Sequence, residues 1–318
     1  MSFAPLIWTG SSLKMLDQRL LPGQETWLDL TTWQEVREGI KDMAVRGAPA
    51  IGIAAGYGMV LALKQGADLK EAHEGLASSR PTAVNLFWAL DRMARTSQED
   101  WEAEAIAIEK EDLAMNQALG AFGADLVPAG AKVLTICNTG SLATAGHGTA
   151  LGIIRSAYAQ GKVKHVYSCE TRPRQQGLRL TAWELMKDQI PFQSIPDSAA
   201  ACLMQDGKID FVVAGADRIA ANGDSANKIG TLMLAVLAKH FGIPFVIAAP
   251  SSTIDPETAD RHGIPIEERD ASEITMIEGV QVAPVGCPVF NPGFDVTPGE
   301  LITAIVTEKG VHKGPYSF

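Results

Sequence analysis

The chain has 318 residues, 46% of them hydrophobic, and a formal net charge of −10. That apolar content fills one large core or two modest ones, and two domains are expected. The acidic balance and the lack of any Lys/Arg-rich cluster exclude a nucleic-acid footprint, and the longest apolar runs, such as that near Leu234, fall short of the roughly 18 residues of a membrane span.

In chain order, residues 6–30 alternate enough to suggest short strands with a turn at Pro22-Gly23. From Trp33 to about Leu126 the periodicity is helical. It comprises the segment after Trp33, an alanine-rich stretch from Ile51 to Lys64, a helix following Ser78-Ser79-Arg80-Pro81, and a charged stretch from Glu99 to about Leu119. After Pro128-Ala129-Gly130 the pattern changes to short β-branched runs (KVLTIC, HVYSC, PFQSI, DFVVAGA, PFVIAAP). Between them lie helices predicted near Ala143–Tyr158, Gln176–Lys187, Ser198–Gln205 and Lys228–His240. Such alternation predicts parallel strands joined by right-handed crossovers, with both sheet faces covered. The tail from Asn291 reads as a loop, a capped helix after Thr297-Pro298, and an extended end. The fold class is therefore α/β: a mainly helical N-terminal domain with a small β extension over residues 1–127, and a Rossmann-like domain with a parallel sheet over residues 128–318.

In open sheets of this kind ligands bind beyond the carboxyl ends of the strands, where Cys137, Glu170 and Asp217 are expected. Cys137 reads either as a small buried hydrophobe or as a thiol near a helix entry, whose dipole favours thiolate. Asp217 follows small and apolar residues and precedes Arg218. Burial would raise its pKa and pairing with Arg218 would lower it, and both outcomes stay open. Arg46, Gly47 and Ala48 mark a helix stop followed by a proline restart. The exposed N–H groups there, beside a fork-shaped guanidinium, suit a phosphate. Arg80 is a similar candidate, and Asn227 with Lys228 supplies donors at a helix start close in sequence to Asp217.

The four cysteines (137, 169, 202, 287) are widely spaced and form no CxxC pair, and the N-terminus lacks a leader pattern, which points to a reduced, cytoplasmic protein. Six histidines without HxH or HExxH spacing argue against a metal site. The run from Gly146 to Gly152 offers a glycine-rich dinucleotide turn, with Glu170 as the ribose carboxylate. Its glycines fall too far beyond the strand for that role and are expected inside the helix instead, where Gly148 and Gly152 permit close packing.

Six motifs spread over nearly the whole chain, RGAPAIG (46–52), SRPTAVNL (79–86), CNTGSLATAGHGTALG (137–152), ETRPRQQGLRLTAWEL (170–185), GADRIAANGDSANKIGT (215–231) and NPGFDVTP (291–298), jointly resemble the 5-methylthioribose-1-phosphate isomerase family of methionine salvage. The resemblance implies an aldose-ketose isomerase acting on a sugar phosphate, with no cofactor or metal, and a homodimer. It implies Cys137 and Asp217 as the catalytic pair and Arg46, Gly47, Ala48, Arg80, Gln176, Asn227 and Lys228 as substrate contacts. Departures from the family pattern are Cys169, the Arg174-Gln175 pair, and shortened loops between Lys64 and Ser78. Relatives acting on 5-deoxyribose 1-phosphate or ribose 1,5-bisphosphate, and sugar-phosphate-sensing regulatory subunits of a translation exchange factor, share the fold and stand as alternatives.

Overall fold

The computed structural model of the protein describes residues 3–81 and 83–318, so Thr82 of the SRPTAVNL motif lies outside the described residues. Strands β1 (Leu6–Trp8), β2 (Leu13–Leu16) and β3 (Trp27–Leu30) form the expected small antiparallel sheet. Helix α1 (Trp33–Lys41) starts on a capping box: Glu35 N–H donates to Thr32 Oγ1 and Thr32 N–H to the Glu35 carboxylate.

Helix α2 (Ala48–Lys64) is apolar all round, and its residues from Ala50 to Ala62 are buried, so it forms the centre of the helical region. Glycine permits this packing, since a Cβ on Gly52 would lie 2.7 Å from the Asn85 carbonyl oxygen. Around α2 pack α1, α3 (Leu69–Ser78), α4 (Val84–Arg95) and the first half of α5 (Trp101–Leu126). The interval from Lys64 to Ser78, expected as trimmed loop, holds α3, whose first N–H groups are taken by the Asp68 carboxylate.

Beyond α5 the chain alternates β4 (Ala131–Thr135), α6 (Ala150–Ala159), β5 (Val163–Cys169), a π turn (Gly177–Thr181) continuing into α7 (Ala182–Lys187), β6 (Phe192–Ile195), α8 (Ala200–Gln205) and β7 (Phe211–Ala214). A small excursion follows, β8 (Arg218–Ala220) and β9 (Ser225–Lys228), then α9 (Thr231–Phe241), β10 (Phe245–Ala248) and β11 (Ile254–Asp255). The chain continues through β12 (Met276–Ile277), β13 (Val280–Gln281) and β14 (Phe294–Thr297), and closes with β15 (Ala304–Thr307) and β16 (Gly310–His312).

The main sheet has the order β16-β15-β10-β7-β4-β5-β6, parallel throughout except for the β15–β16 pair. Its central strands β7, β10 and β15 are buried along their whole length, as strands covered on both faces must be. One core lies between the sheet and α6 with the second half of α5, the other between the opposite face and α8 with α9. A second sheet, β11-β8-β9-β14, stands beyond the carboxyl ends of the main strands.

Three sequence expectations are corrected here. Helix α6 begins at Ala150, not near Ala143, so Gly146 and Gly148 stand in the loop with positive φ (157° and 87°) and only Gly152 packs within the helix. The loop is rigid for a steric reason: a Cβ on Gly148 would sit 2.4 Å from the Gly140 Cα. Asn227 and Lys228, expected at a helix start, end β9, because the turn at Asn222-Gly223 (Gly223 φ 85°) folds residues 225–228 back on β8. The tail has a single 3₁₀ turn (Gly299–Leu301) where a helix was expected, and its β-branched run becomes β15.

Candidate active site

Registry in the main sheet brings the two candidate catalytic residues together. β4 and β7 are adjacent and parallel, with Thr135 opposite Val213. Cys137 and Asp217 therefore emerge at the same carboxyl edge, where both line a cavity of about 880 Å³.

Cys137 is a free thiol, 8% exposed, held at φ 64°, a backbone region that residues with a Cβ seldom occupy. Its own N–H donates to Thr171 Oγ1 (2.9 Å), and its carbonyl accepts from Thr181 Oγ1 (2.6 Å). Because α6 begins only at Ala150, the helix entry invoked for Cys137 from sequence lies well down the loop, and these threonine contacts fix the residue instead.

Asp217 has more than a third of its surface open to the cavity, yet protein encloses it on every side at longer range. Its open face looks onto the cavity. This enclosure pushes its carboxyl up from the usual carboxylate range, and the charges of Lys228, Arg46 and Arg80 pull it back only in part. Arg218 takes no part in that balance: its guanidinium pairs with Asp255 at 3.3 Å.

The hairpin β8–β9, whose Ala226 carbonyl accepts the Asp217 N–H (2.8 Å), delivers Lys228 to the cavity. Lys228 is 9% exposed, and its ammonium donates to the Gly293 carbonyl (2.8 Å) and lies 4.6 Å from the centroid of the Phe294 ring, its cross-strand neighbour. Burial lowers its pKa, while the negative charge available on Cys137 and Asp217 opposes that shift. Asn227 alternates to the other side of β9, does not line the cavity, and donates to Thr231 Oγ1 (2.9 Å). The α9 N-terminus is capped from β14 instead: Gly230 N–H (2.7 Å) and Leu232 N–H (3.0 Å) donate to Asp295.

On the opposite wall Gly47, at φ 97°, caps the N-terminus of α2, with Pro49 in its first turn. A side chain there would strike Ala143 (Cβ to Cα 2.5 Å), so only glycine lets the helix start abut the Cys137 loop. Gly47 and Ala48 line the cavity beside Arg46, and the first N–H groups of α2 have no acceptor within the helix. Arg46 Nη2 donates to the Asn138 carbonyl (3.1 Å) and to the Asn138 side-chain oxygen, while its buried Nε has no partner among the described residues. Gln176 also lines the cavity, with a buried Oε1 that has no partner among them either. Arg80 lines the cavity too, and burial lowers its pKa.

The structure thus gathers Cys137, Asp217, Arg46, Gly47, Ala48, Arg80, Gln176 and Lys228 around one cavity, and leaves Asn227 behind it. Glu170 does not line the cavity. Sequence reasoning missed Arg269, and Arg179 and Phe294 were quoted only within motifs, although all three line the same space. Arg269 sits in the run Glu267-Glu268-Arg269-Asp270, which reads as a solvated surface, and nothing local distinguishes it. Among the described residues no group of three or more His, Cys, Asp or Glu side chains is placed to hold a metal ion, and no helix is long and apolar enough to cross a membrane.

Comparison with known proteins places this geometry. The sequence model of the Initiation factor 2 subunit family matches residues 44–314. A protein of Alcanivorax borkumensis named methylthioribose-1-phosphate isomerase is 55% identical, over 98% of this chain and 94% of its own length. A namesake from Thermotoga neapolitana is 53% identical, over 97% and 94%. Among solved structures, 5-methylthioribose 1-phosphate isomerase from Pyrococcus horikoshii OT3 superposes with a TM-score of 0.93 at 43% identity, covering 98% of this chain and 93% of that one. A chain described as translation initiation factor eIF-2B, subunit delta, from A. fulgidus gives 0.88 at 42%, covering 99% and 97%. By family match and by near-full-length identity, the chain is an enzyme of the Initiation factor 2 subunit family and belongs with its methylthioribose-1-phosphate isomerases.

Proposed function

We propose that the protein converts 5-methylthioribose 1-phosphate to 5-methylthioribulose 1-phosphate in methionine salvage, as a cytoplasmic homodimer, using Asp217 and Cys137 for acid/base chemistry. One observation carries the reading: an enclosed carboxyl with a raised pKa and a thiol meet at adjacent strand ends in a cavity that also holds Arg46, Lys228 and a helix N-terminus.

The chemistry asks for such a set. Phosphate on the anomeric oxygen prevents spontaneous ring opening, so the enzyme must open the ring itself. Asp217, protonated, donates to the ring oxygen as the C1–O bond breaks. Hydrogen then moves from C2 to C1 and the C2 hydroxyl gives up its proton as the ketone forms, returning the Asp217 carboxylate to its acid form, with Cys137 relaying the proton or stabilising the charged intermediate. Arg46 and the α2 amides hold the phosphate, Arg80, Gln176 and Lys228 bind the rest of the substrate, and the walls exclude water. Asn227 acts on the far side of β9, by holding the turn that leads from Lys228 into α9. No cofactor enters this scheme.

A phosphorus and carbon NMR time course with methylthioribose 1-phosphate beside 5-deoxyribose 1-phosphate, without added metal or nucleotide, tests the proposal. Faster conversion of the first supports it. Preference for the second moves the enzyme to deoxysugar salvage with the same site, and inertness towards both overturns the proposal and leaves ribose 1,5-bisphosphate or a scaffold role to be tested next.

A further inference from the structure

Cys137 and Arg46 stand on different elements, yet both lead to one hydroxyl behind the cavity, Cys137 directly and Arg46 through Asn138. Thr181 ends the π turn and is 1% exposed. Its hydroxyl donates to the Cys137 carbonyl (2.6 Å) and accepts from Asn138 Nδ2 (3.2 Å). The same Asn138 amide donates to Glu184 Oε1 (2.8 Å), and its oxygen accepts from Arg46. Because both Nδ2 acceptors lie on one side, the amide can present only its oxygen to Arg46.

The π turn is what puts Thr181 there. It starts at Gly177, where an added Cβ would lie 1.8 Å from the Cys169 carbonyl oxygen at the end of β5, so the turn is wound directly against the sheet edge. The wider i→i+5 winding aims the Thr181 hydroxyl under the Cys137 loop. On the opposite side Thr171, itself at φ 68°, accepts the Cys137 N–H. The left-handed backbone of Cys137 is therefore gripped from both ends, and such conformations persist only where the surroundings over-determine them.

We propose that Thr181 is a positioning residue for the isomerase: its hydroxyl locks Cys137 in the left-handed conformation that aims the thiol into the cavity, and through Asn138 sets the orientation of Arg46. The role in turnover rests on the function proposed above, whereas the geometric effect on the thiol does not. Without the hydroxyl, Cys137 relaxes towards negative φ and its side chain turns away from the opening.

The experiment compares wild type, Thr181→Val and Thr181→Ser in the full-length protein. It measures steady-state kinetics with methylthioribose 1-phosphate and the iodoacetamide alkylation rate of Cys137, followed at the peptide level so that exposed Cys202 and Cys287 do not interfere. In Thr181→Val, kcat falls roughly 10- to 100-fold while KM rises less than about fivefold, and Cys137 alkylation slows about tenfold; Thr181→Ser restores both to within about threefold. A folded Thr181→Val with wild-type kcat and alkylation overturns the proposal, as does a Ser variant no better than Val. If Val does not fold, Thr181→Ala removes the same hydroxyl without adding bulk and is judged by the same criteria. If the wild type does not turn over substrate at all, the functional reading fails, and the alkylation series still decides the positioning.

Discussion

At the scale of single residues, the site depends on groups that ordinary solvation would disarm. Asp217 on a surface would be ionised at neutral pH and could give up no proton, whereas enclosure in the cavity favours its protonated form. Asp217→Asn keeps shape and hydrogen bonding but removes the transferable proton. It should lower kcat by about 10³-fold or more with substrate affinity within a few-fold, measured by steady-state kinetics and calorimetric titration. In the proposed mechanism the protonated acid does the work, so wild-type activity should fall as pH rises through the elevated pKa. Near-normal turnover by the Asn variant would rule out the acid role. Both Cys137 and Asp217 were legible in sequence, because a strand tip followed by small residues marks a sheet's carboxyl edge. Arg269 was not, since nothing local shows that its acidic segment packs over the cavity, and Asn227 was misplaced because the hairpin that orients it depends on pairing with β14.

Among elements, the loop from Cys137 to Thr149 is held as much by its neighbours as by its own sequence. Buried Glu184 accepts from Ser141 N–H (2.8 Å) and pairs with Arg155 (2.7 Å), which also binds Ser141 Oγ and the His147 carbonyl. From the helical region, Asp112 on α5 accepts Ala145 N–H (2.7 Å) and an Asn116 side-chain donor (2.9 Å). Burial nevertheless pushes the Asp112 carboxyl up to about 6. A carboxyl whose folded-state pKa lies above its unfolded value near 3.8 stabilises the fold most below that lower value, and loses this contribution as pH rises through about 6. Relative to Asp112→Asn, the wild type should therefore lose roughly 3 kcal/mol of stability between about pH 4 and about pH 7. Denaturant melts of both proteins across that range check it, and parallel profiles would contradict it. Element type was readable where composition decided it, as in the long alanine-rich run of α2 and the short β-branched runs of β7 and β10. It failed where tertiary pairing overruled local pattern: β9 read as a helix start and β15 as part of a helix, and both are strands because a partner strand was waiting.

Across the whole molecule, charge is distributed against the average. The chain carries a net −10, yet eight basic side chains and two acidic ones line the cavity. Such a positive well in an acidic body draws a sugar phosphate in and repels it elsewhere. Raising ionic strength from about 10 mM to about 500 mM should lower kcat/KM several-fold while kcat changes little, as seen in initial rates over a salt series. A flat kcat/KM would mean that the well has no part in capture. We propose that residues 1–127 and 128–318 act as two domains around this well, joined by α5, which contributes Trp101 and Ile108 to one core and Leu119 and Ala124 to the other.

The position of β15 in the sheet also bears on how the protein is made. The strand is drawn from residues 304–307 but lies inside the sheet, between β16 and β10. A nascent chain emerging from the ribosome therefore holds β10 with one edge bare until residues 304–307 have been translated. A product ending prematurely near residue 300 would retain Cys137, Asp217 and most of the cavity lining, and yet present an open edge to chaperones, proteases and other chains. In this architecture the stretch that completes the sheet follows the stretch that completes the cavity, so the lining can be whole while the sheet behind it is still open.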